Sequence, residues 1–356
     1  MKGKAETVLR IISAVCQFYY ASYSATSLYL GLTLTIPEYC LEDPNLLQFM
    51  TYLMLFVFGN MMGNFFCIIY KSKLSIVKPA PNASANFAQL PTTNTTQDYL
   101  SSSLSASEST YSNAFHPKNS GTLLNNNLRE TQNQTNTENT LDSDFKSKNQ
   151  LSNYERTGVE ILGGWQRCKD CFVLTPPRGK HCPLCKHCVL KRDHHCYFVG
   201  HCIGFHNQRF FVCFCLYGGL GGLYSLWLTS HYLRVHYEAL QTWGRLAYVG
   251  PFALLHWALG YTSGANLGMV MFWWWSLVTS LMGCCYCFGQ ILLVIRGQTK
   301  WEFFQDKFTY RGTLTDNIQS VFGRYWPICF FLPAPFLGYV GDGANWDNLF
   351  SDWKTH

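Results

Sequence analysis

Four stretches of the 356-residue chain run without Asp, Glu, Lys or Arg: residues 11–37, 44–70, 210–233 and 246–295. A bilayer-crossing helix needs about 20 mostly apolar residues, so each stretch is long enough to span. The polar remainder is too small to cover so many apolar helices in a soluble core. In the fourth stretch Pro251, Gly260, Gly264 and Asn266 interrupt the first half. That half is read as an interfacial or re-entrant segment over 246–260, followed by a span over 267–295 with Trp273, Trp274 and Trp275 near one interface. The expected fold is an α-helical multi-pass membrane protein with four transmembrane helices at 11–37, 44–70, 210–233 and 267–295. Lys2, Lys4 and Arg10 precede an apolar stretch longer than a signal-peptide core, so the first span is expected to remain as an anchor.

Charge orients these spans. Lys and Arg number three before the first span, 15 between Lys71 and Asn207, and six from Arg296 onward. The connections 37–45 and 234–265 hold none and two. With four spans every basic segment faces the cytosol, including the N-terminus 1–10 and the tail 296–356. Dispersed basic residues with no dominant run argue against nucleic acid as a partner.

Between the second and third spans the composition changes twice. From 81 to 150 more than half of the positions are Ser, Thr, Asn or Gln. Too few apolar groups remain to bury a core, so 79–155 is expected to be a disordered cytosolic loop. Its sequons at Asn82, Asn94 and Asn133 would be bystanders on that side of the membrane. The apolar run Tyr325 to Val340, broken by three prolines, is too short to span and is expected to lie on the membrane face or the bundle.

Residues 160–207 hold the chemistry. Seven of the 16 cysteines (Cys168, Cys171, Cys182, Cys185, Cys188, Cys196, Cys202) fall between Cys168 and Gly204 with five histidines, a density that suits metal in a reducing compartment better than disulfides. Cys168 with Cys171 and Cys182 with Cys185 form two C-x2-C knuckles, each half of a closed tetrahedral zinc site. Two complete sites need eight ligands from these twelve groups, so some are left over. Asp193, His194, His195 and Cys196 are consecutive. A thiol beside an imidazole that a carboxylate orients can be a thiolate nucleophile at neutral pH.

The window resembles the cysteine-rich domain of the DHHC protein S-acyltransferases, which the family carries between the second and third of four spans. Cys202 and Gly204 match its Cys-x-Gly, Asn207 with Phe211 its Asn-x3-Phe, and Thr299 to Glu302 its Thr-Thr-x-Glu. Asn317, six residues before Gly323, resembles the Asn of its C-terminal motif. The resemblance implies two structural Zn2+ ions, one on Cys168, Cys171, His181 and Cys188 and the other on Cys182, Cys185, His195 and Cys202. It implies Cys196 as nucleophile, His194 as proton carrier and Asp193 as its orienting partner. Departures are Tyr197-Phe198 for the family's Pro-Trp, His201 for an Asn, and Lys300 for the second Thr, from where it would either form an ion pair with Asp193 or weaken the triad.

The implied function is transfer of a long-chain acyl group, palmitoyl, from acyl-CoA through a Cys196 thioester onto cysteines of membrane-associated proteins. Acyl-CoA is the co-substrate, and Arg178, Lys180, Lys191 and Arg192 are expected to meet its phosphates. The expected location is an endomembrane (Golgi or ER) with the active site cytosolic. Gly218, Gly219, Gly221 and Gly222 are expected to serve close helix packing, or to leave room at the end of an acyl cavity. The alternative is a non-catalytic membrane-anchored zinc module, RING-like or a pseudo-DHHC adaptor, although the long gap between knuckle pairs that RING spacing wants is missing. A transporter would carry charge inside its spans, and these carry none.

Overall fold

The computed structural model describes residues 2–41, 43–78, 161–162 and 165–346. The polar loop expected at 79–155, with its sequons, lies outside them.

Among the described residues three helices are long and apolar enough to cross a membrane, Pro44–Ser75, Gln208–His236 and Gly264–Ile295. The first apolar stretch is not among them. Its helix, α1 (Lys2–Leu30), begins well before the expected start at 11, and its apolar side chains alternate with Ser13, Gln17, Tyr19, Tyr20, Ser22 and Tyr23. The three tyrosines belong to the bundle. Tyr19 Oη lies 2.9 Å from Thr279 Oγ1, Ser27 Oγ 2.7 Å from Ser225 Oγ, and the Tyr20 ring stacks on Phe65 at 4.8 Å.

Helix α2 (Pro44–Ser72) starts where Pro44 fixes the backbone and the Asp43 carboxylate accepts from the N–H groups of Asn45 and Leu46. Helix α3 (Gln208–His236) is central and packs on α2 and, most extensively, on a long helix that follows a lower-order connection. That connection holds the short helices α4 (Ala239–Trp243) and α5 (Gly250–Ala258). With 9 residues α5 rises only about 14 Å, too little to cross. Helix α6 (Gly264–Ile295) then runs back along α3.

Small residues set the α3–α6 crossing. A Cβ on Gly219 would sit 2.9 Å from Cys284 Sγ, and one on Gly222 2.7 Å from the Ser280 nitrogen, whereas Gly218 has open space. The glycine pattern thus divides between packing and cavity. Gly219→Leu is expected to lower the detergent-solubilised melting temperature by several degrees or prevent folding, while Gly218→Leu leaves it within about 2 °C; thermal unfolding followed by fluorescence checks the contrast.

The tail closes over the start of α3 through α7 (Lys300–Phe304), α8 (Leu314–Phe322) and α9 (Trp326–Phe331). Asn317 donates to Ile295 O at 2.9 Å and accepts from Gly312 N–H at 3.0 Å, holding α8 to the end of α6. Arg209, fully buried at the start of α3, donates to the carbonyls of Ala334, Leu337 and Gly338.

Between α2 and α3 lie three small hairpins. They pair β1 (Trp165–Arg167) with β2 (Leu174–Thr175), β3 (Lys180–Cys182) with β4 (His187–Val189), and β5 (His194–Cys196) with β6 (His201–Ile203). The three turns repeat. In each, a cysteine carbonyl accepts from the N–H four residues on: Cys168 from Phe172, Cys182 from Lys186, Cys196 from Gly200. Each of those N–H residues has positive φ, 56°, 60° and 73°. Cys168, Cys182 and Cys196 are equally spaced along the chain, so the hairpins are copies of one unit. The partner of Cys168 and of Cys182 three residues on is cysteine, and the partner of Cys196 is Val199.

Candidate active site and metal centres

The repeat explains which sulfur is spared. Side chains alternate faces along a strand, and directly paired residues share one. His181 pairs with Cys188 and His195 with Cys202, so each hairpin offers one His and one Cys on a single face. The knuckle of the preceding turn completes the set. Cys168, Cys171, His181 and Cys188 converge, as do Cys182, Cys185, His195 and Cys202, with ligand atoms all within 4.8 Å of one another.

The spacing within each set fits a tetrahedral ion. Sulfur to His181 Nδ1 distances are 3.6, 3.2 and 4.0 Å from Cys168, Cys171 and Cys188. Those to His195 Nδ1 are 3.7, 3.3 and 3.8 Å from Cys182, Cys185 and Cys202. A tetrahedron of thiolates at about 2.3 Å and an imidazole at about 2.0 Å from zinc has S···N edges of about 3.5 Å. Two such clusters can therefore bind metal, and their donor sets are those of zinc.

His194 and Cys196 flank His195 and, by the same alternation, face away from the second cluster. Cys196 is 5% exposed, and its sulfur is not among the eight clustered ligands. Behind it, His194 Nδ1 lies 2.7 Å from Asp193 Oδ2, and the imidazole packs edge-on against Phe211. Burial alone would lower the His194 pKa; hydrogen bonds to Asp193 and Cys196 outweigh it and push it up to about 9. Asp193 is buried, which would raise its pKa, yet bonds from His194, the Lys300 N–H and Gln290 hold it below the ordinary range.

Two of those partners come from far along the chain. Gln290 Nε2 donates to Asp193 Oδ2 at 2.8 Å, and its carbonyl accepts from Gln208 Nε2 at 3.2 Å. The Lys300 N–H donates to Asp193 Oδ1 at 2.6 Å. The expected Lys300–Asp193 ion pair is thus replaced by a backbone hydrogen bond. Gln290 escaped the sequence reading, although it is the single amide side chain in 267–295, and a lone polar group in an apolar span is a functional signal.

The basic residues expected to face a phosphate are differently placed. Arg178 donates from Nε and Nη2 to the Glu302 carboxylate at 2.8 and 2.7 Å and stacks on Trp346 and Tyr310, with both side chains of the pair buried. Glu302 also closes the capping box of α7 with Thr299, so this pair ties the hairpins to the tail. Lys191 is 4% exposed against Trp346, and burial, with Arg178 nearby, pushes it down to about 7. Arg192 Nε donates to Cys202 Sγ at 3.5 Å. Lys180, half-buried on the Trp301 ring at 3.6 Å, stands at a partly open surface, and Arg192 is half-buried as well. Arg178 and Lys191 are therefore scaffold residues, because each is enclosed by tail residues the local sequence does not reveal.

Cys196 and His194 stand at one end of a cavity of about 190 Å³. Its walls are Tyr19, Tyr20 and Tyr23 of α1, Phe211 and Phe214 of α3, and Met282 and Tyr286 of α6, with Phe198 on the same lining as Cys196. A smaller void beyond it shares Tyr23, Met61 and Gly218. The cavity is an apolar slot between helices, lined by the Cys196 thiol and the His194 imidazole, with the Asp193 carboxylate buried behind His194.

Comparison with known proteins agrees with this geometry. Residues 162–307 match the family model described as DHHC palmitoyltransferase. Palmitoyltransferase ZDHHC22 of Danio rerio is 36% identical over 186 residues, 49% of this chain and 64% of the relative. "Probable palmitoyltransferase ZDHHC24" of Rattus norvegicus is 33% identical over 197 residues, 53% of this chain and 68% of the relative. Palmitoyltransferase ZDHHC22 of Homo sapiens is 32% identical over 208 residues, 54% and 76%. The chain belongs to the DHHC palmitoyltransferases, multi-pass membrane proteins that acylate protein cysteines.

Proposed function

We propose that Cys196 is the nucleophile of a two-step protein S-acylation, with α1 as the fourth span and the hairpins on the cytosolic side of an endomembrane. The observation that carries this is the position of Cys196: outside both metal clusters, beside the His194–Asp193 pair, and at the end of an apolar cavity between helices. A thiolate next to an imidazolium attacks the thioester carbonyl of acyl-CoA. The C–S bond to CoA breaks, and His194 returns its proton to the leaving CoA sulfur. In the second step a substrate cysteine gives its proton to His194, attacks the Cys196 thioester and leaves acylated. One thioester replaces another, so no nucleotide is hydrolysed.

Each part of the site has a task. Asp193 holds His194 Nδ1–H so that Nε2 serves the sulfur, and Gln290 and the Lys300 N–H hold Asp193. The two clusters would hold Zn2+, which supplies fixed geometry to the three hairpins. The cavity takes the acyl chain: at about 0.8 kcal/mol per buried CH2, a 14- to 16-carbon tail contributes on the order of 10 kcal/mol, enough to orient the thioester on the sulfur.

The two-step scheme has a direct test. Enzyme loaded with radiolabelled palmitoyl-CoA, freed of excess donor, is chased with a membrane-tethered cysteine peptide. Label is expected to move to the peptide with no CoA present. Transfer that requires fresh palmitoyl-CoA, or label lost only to water, would contradict it.

A further inference from the structure

An acyl-CoA joins its apolar tail to a polyanionic head through a neutral pantetheine arm, so a cation on the rim outside the acyl slot is placed to meet the head group. Among the described residues lining the cavity, Lys300 is the one Lys or Arg. Its backbone is fixed by the 2.6 Å bond to Asp193, which uses the N–H and leaves the side chain unneeded there. The residue is exposed, and none of the ion pairs or side-chain hydrogen bonds found among the described residues engages its ammonium. Beside it Trp301 carries Lys180 at 3.6 Å and Lys307 at 4.9 Å, so the rim around α7 is cationic while Arg178 and Lys191 are enclosed.

We propose that Lys300, at the rim of the cavity and flanked by Lys180 and Lys307 about Trp301, binds the anionic CoA portion of the acyl donor. The proposal rests on the reading of Cys196 as the acyl acceptor. With the tail in the slot and the carbonyl at Cys196, the head group leaves through the rim, where an ammonium on a four-carbon stem can follow a phosphate or pantetheine oxygen as the donor seats. Lys300 stands where the resemblance leads one to expect Thr, so this contact would be particular to chains that carry a cation here.

The test uses the zinc-loaded full chain in nanodiscs of neutral phosphatidylcholine, with Lys300→Thr and Lys300→Arg. Free CoA binding is measured by calorimetry on a Cys196→Ala background, which needs no turnover. Lys300→Thr is expected to weaken CoA about five- to tenfold, and Lys300→Arg less than twofold. With Cys196 present, the half-saturating palmitoyl-CoA concentration rises by a similar factor, and the maximal rate of Cys196 labelling falls by less. Repeating the binding in nanodiscs that also contain phosphatidylserine distinguishes the source of the anion. Unchanged CoA affinity in Lys300→Thr overturns the proposal, as does a variant that differs from wild type only in anionic membranes, which would assign Lys300 to lipid. A fall in maximal rate at unchanged half-saturation also overturns it and makes Lys300 a positioning residue. If CoA binding responds to Lys300 while no label reaches Cys196, the rim assignment stands and the nucleophile assignment fails.

Discussion

Serine at position 196 is expected to reduce acyl labelling of the purified chain by at least about 10³-fold, leaving two zinc ions per chain and an unchanged melting temperature. An alcohol is far less ionised than a thiol near an imidazolium, so the attacking species is nearly absent, and an oxygen ester would not yield to neutral hydroxylamine. The structure makes the second half of the expectation as firm as the first. Cys196 stands opposite His201 in the hairpin and faces away from His195, so removing its sulfur takes nothing from either cluster. Phosphor imaging of labelled protein with and without hydroxylamine, alongside zinc determination by plasma mass spectrometry, checks both. Label that persists in the serine variant places the nucleophile elsewhere; zinc that falls to one makes Cys196 a ligand.

Loss of a cluster should be more destructive. Cys202→Ser is expected to reduce zinc from two to about one per chain and to abolish labelling, although Cys196 and His194 remain in place in the sequence. The hairpins have very short strands, far below what holds a sheet without help, and structural zinc supplies about 10–16 kcal/mol of folding free energy in comparable small sites. Cys202 is the register partner of His195 and precedes Ile203, whose carbonyl accepts from Asp193 N–H. Without it the strand bearing Cys196 loses its anchor, and Asn207, which accepts from Gly204 N–H and donates to Cys202 O, loses the geometry joining β6 to α3. Hydrogen exchange over 165–207 should rise to unprotected rates. Cys213→Ser, at a buried sulfur outside the clusters, serves as the control and should keep both ions. Two zinc ions retained in Cys202→Ser would refute the ligand set.

How much of this was legible in the sequence differs from one residue to the next. Uncharged runs located three of the long helices, because crossing a bilayer forbids charge over the whole apolar thickness. The same criterion started the first helix at 11 instead of Lys2, since helical backbone continues past the point where charge resumes: Glu6 lies 3.6 Å from Lys186 on the second hairpin. Two knuckles and the count of ligands pointed to two metal sites. Which eight groups converge was implied only by family resemblance, because spacing does not give strand register. The missed signal was the equal spacing of Cys168, Cys182 and Cys196, which sets Cys196 at the position of a knuckle cysteine and Val199 where its mate would be. Arg178 was misread for a different reason. Its carboxylate partner, Glu302, is 124 residues away, and only the tertiary structure shows that the charge is spent. Gln290, 97 residues from Asp193, was hidden in the same way, whereas the resemblance already set Lys300 beside Asp193 and left only the bonding group, its backbone N–H, to the tertiary structure.

The central claim, that metal occupies eight side chains and spares Cys196 for the acyl group, can be weighed on one intact molecule. Native mass spectrometry of the chain before and after palmitoyl-CoA, with tandem fragmentation to locate the adduct, should show two zinc ions in both states and a single added palmitoyl mass on Cys196. Departure of a zinc ion as the acyl group arrives, or an adduct on any other cysteine, would contradict it.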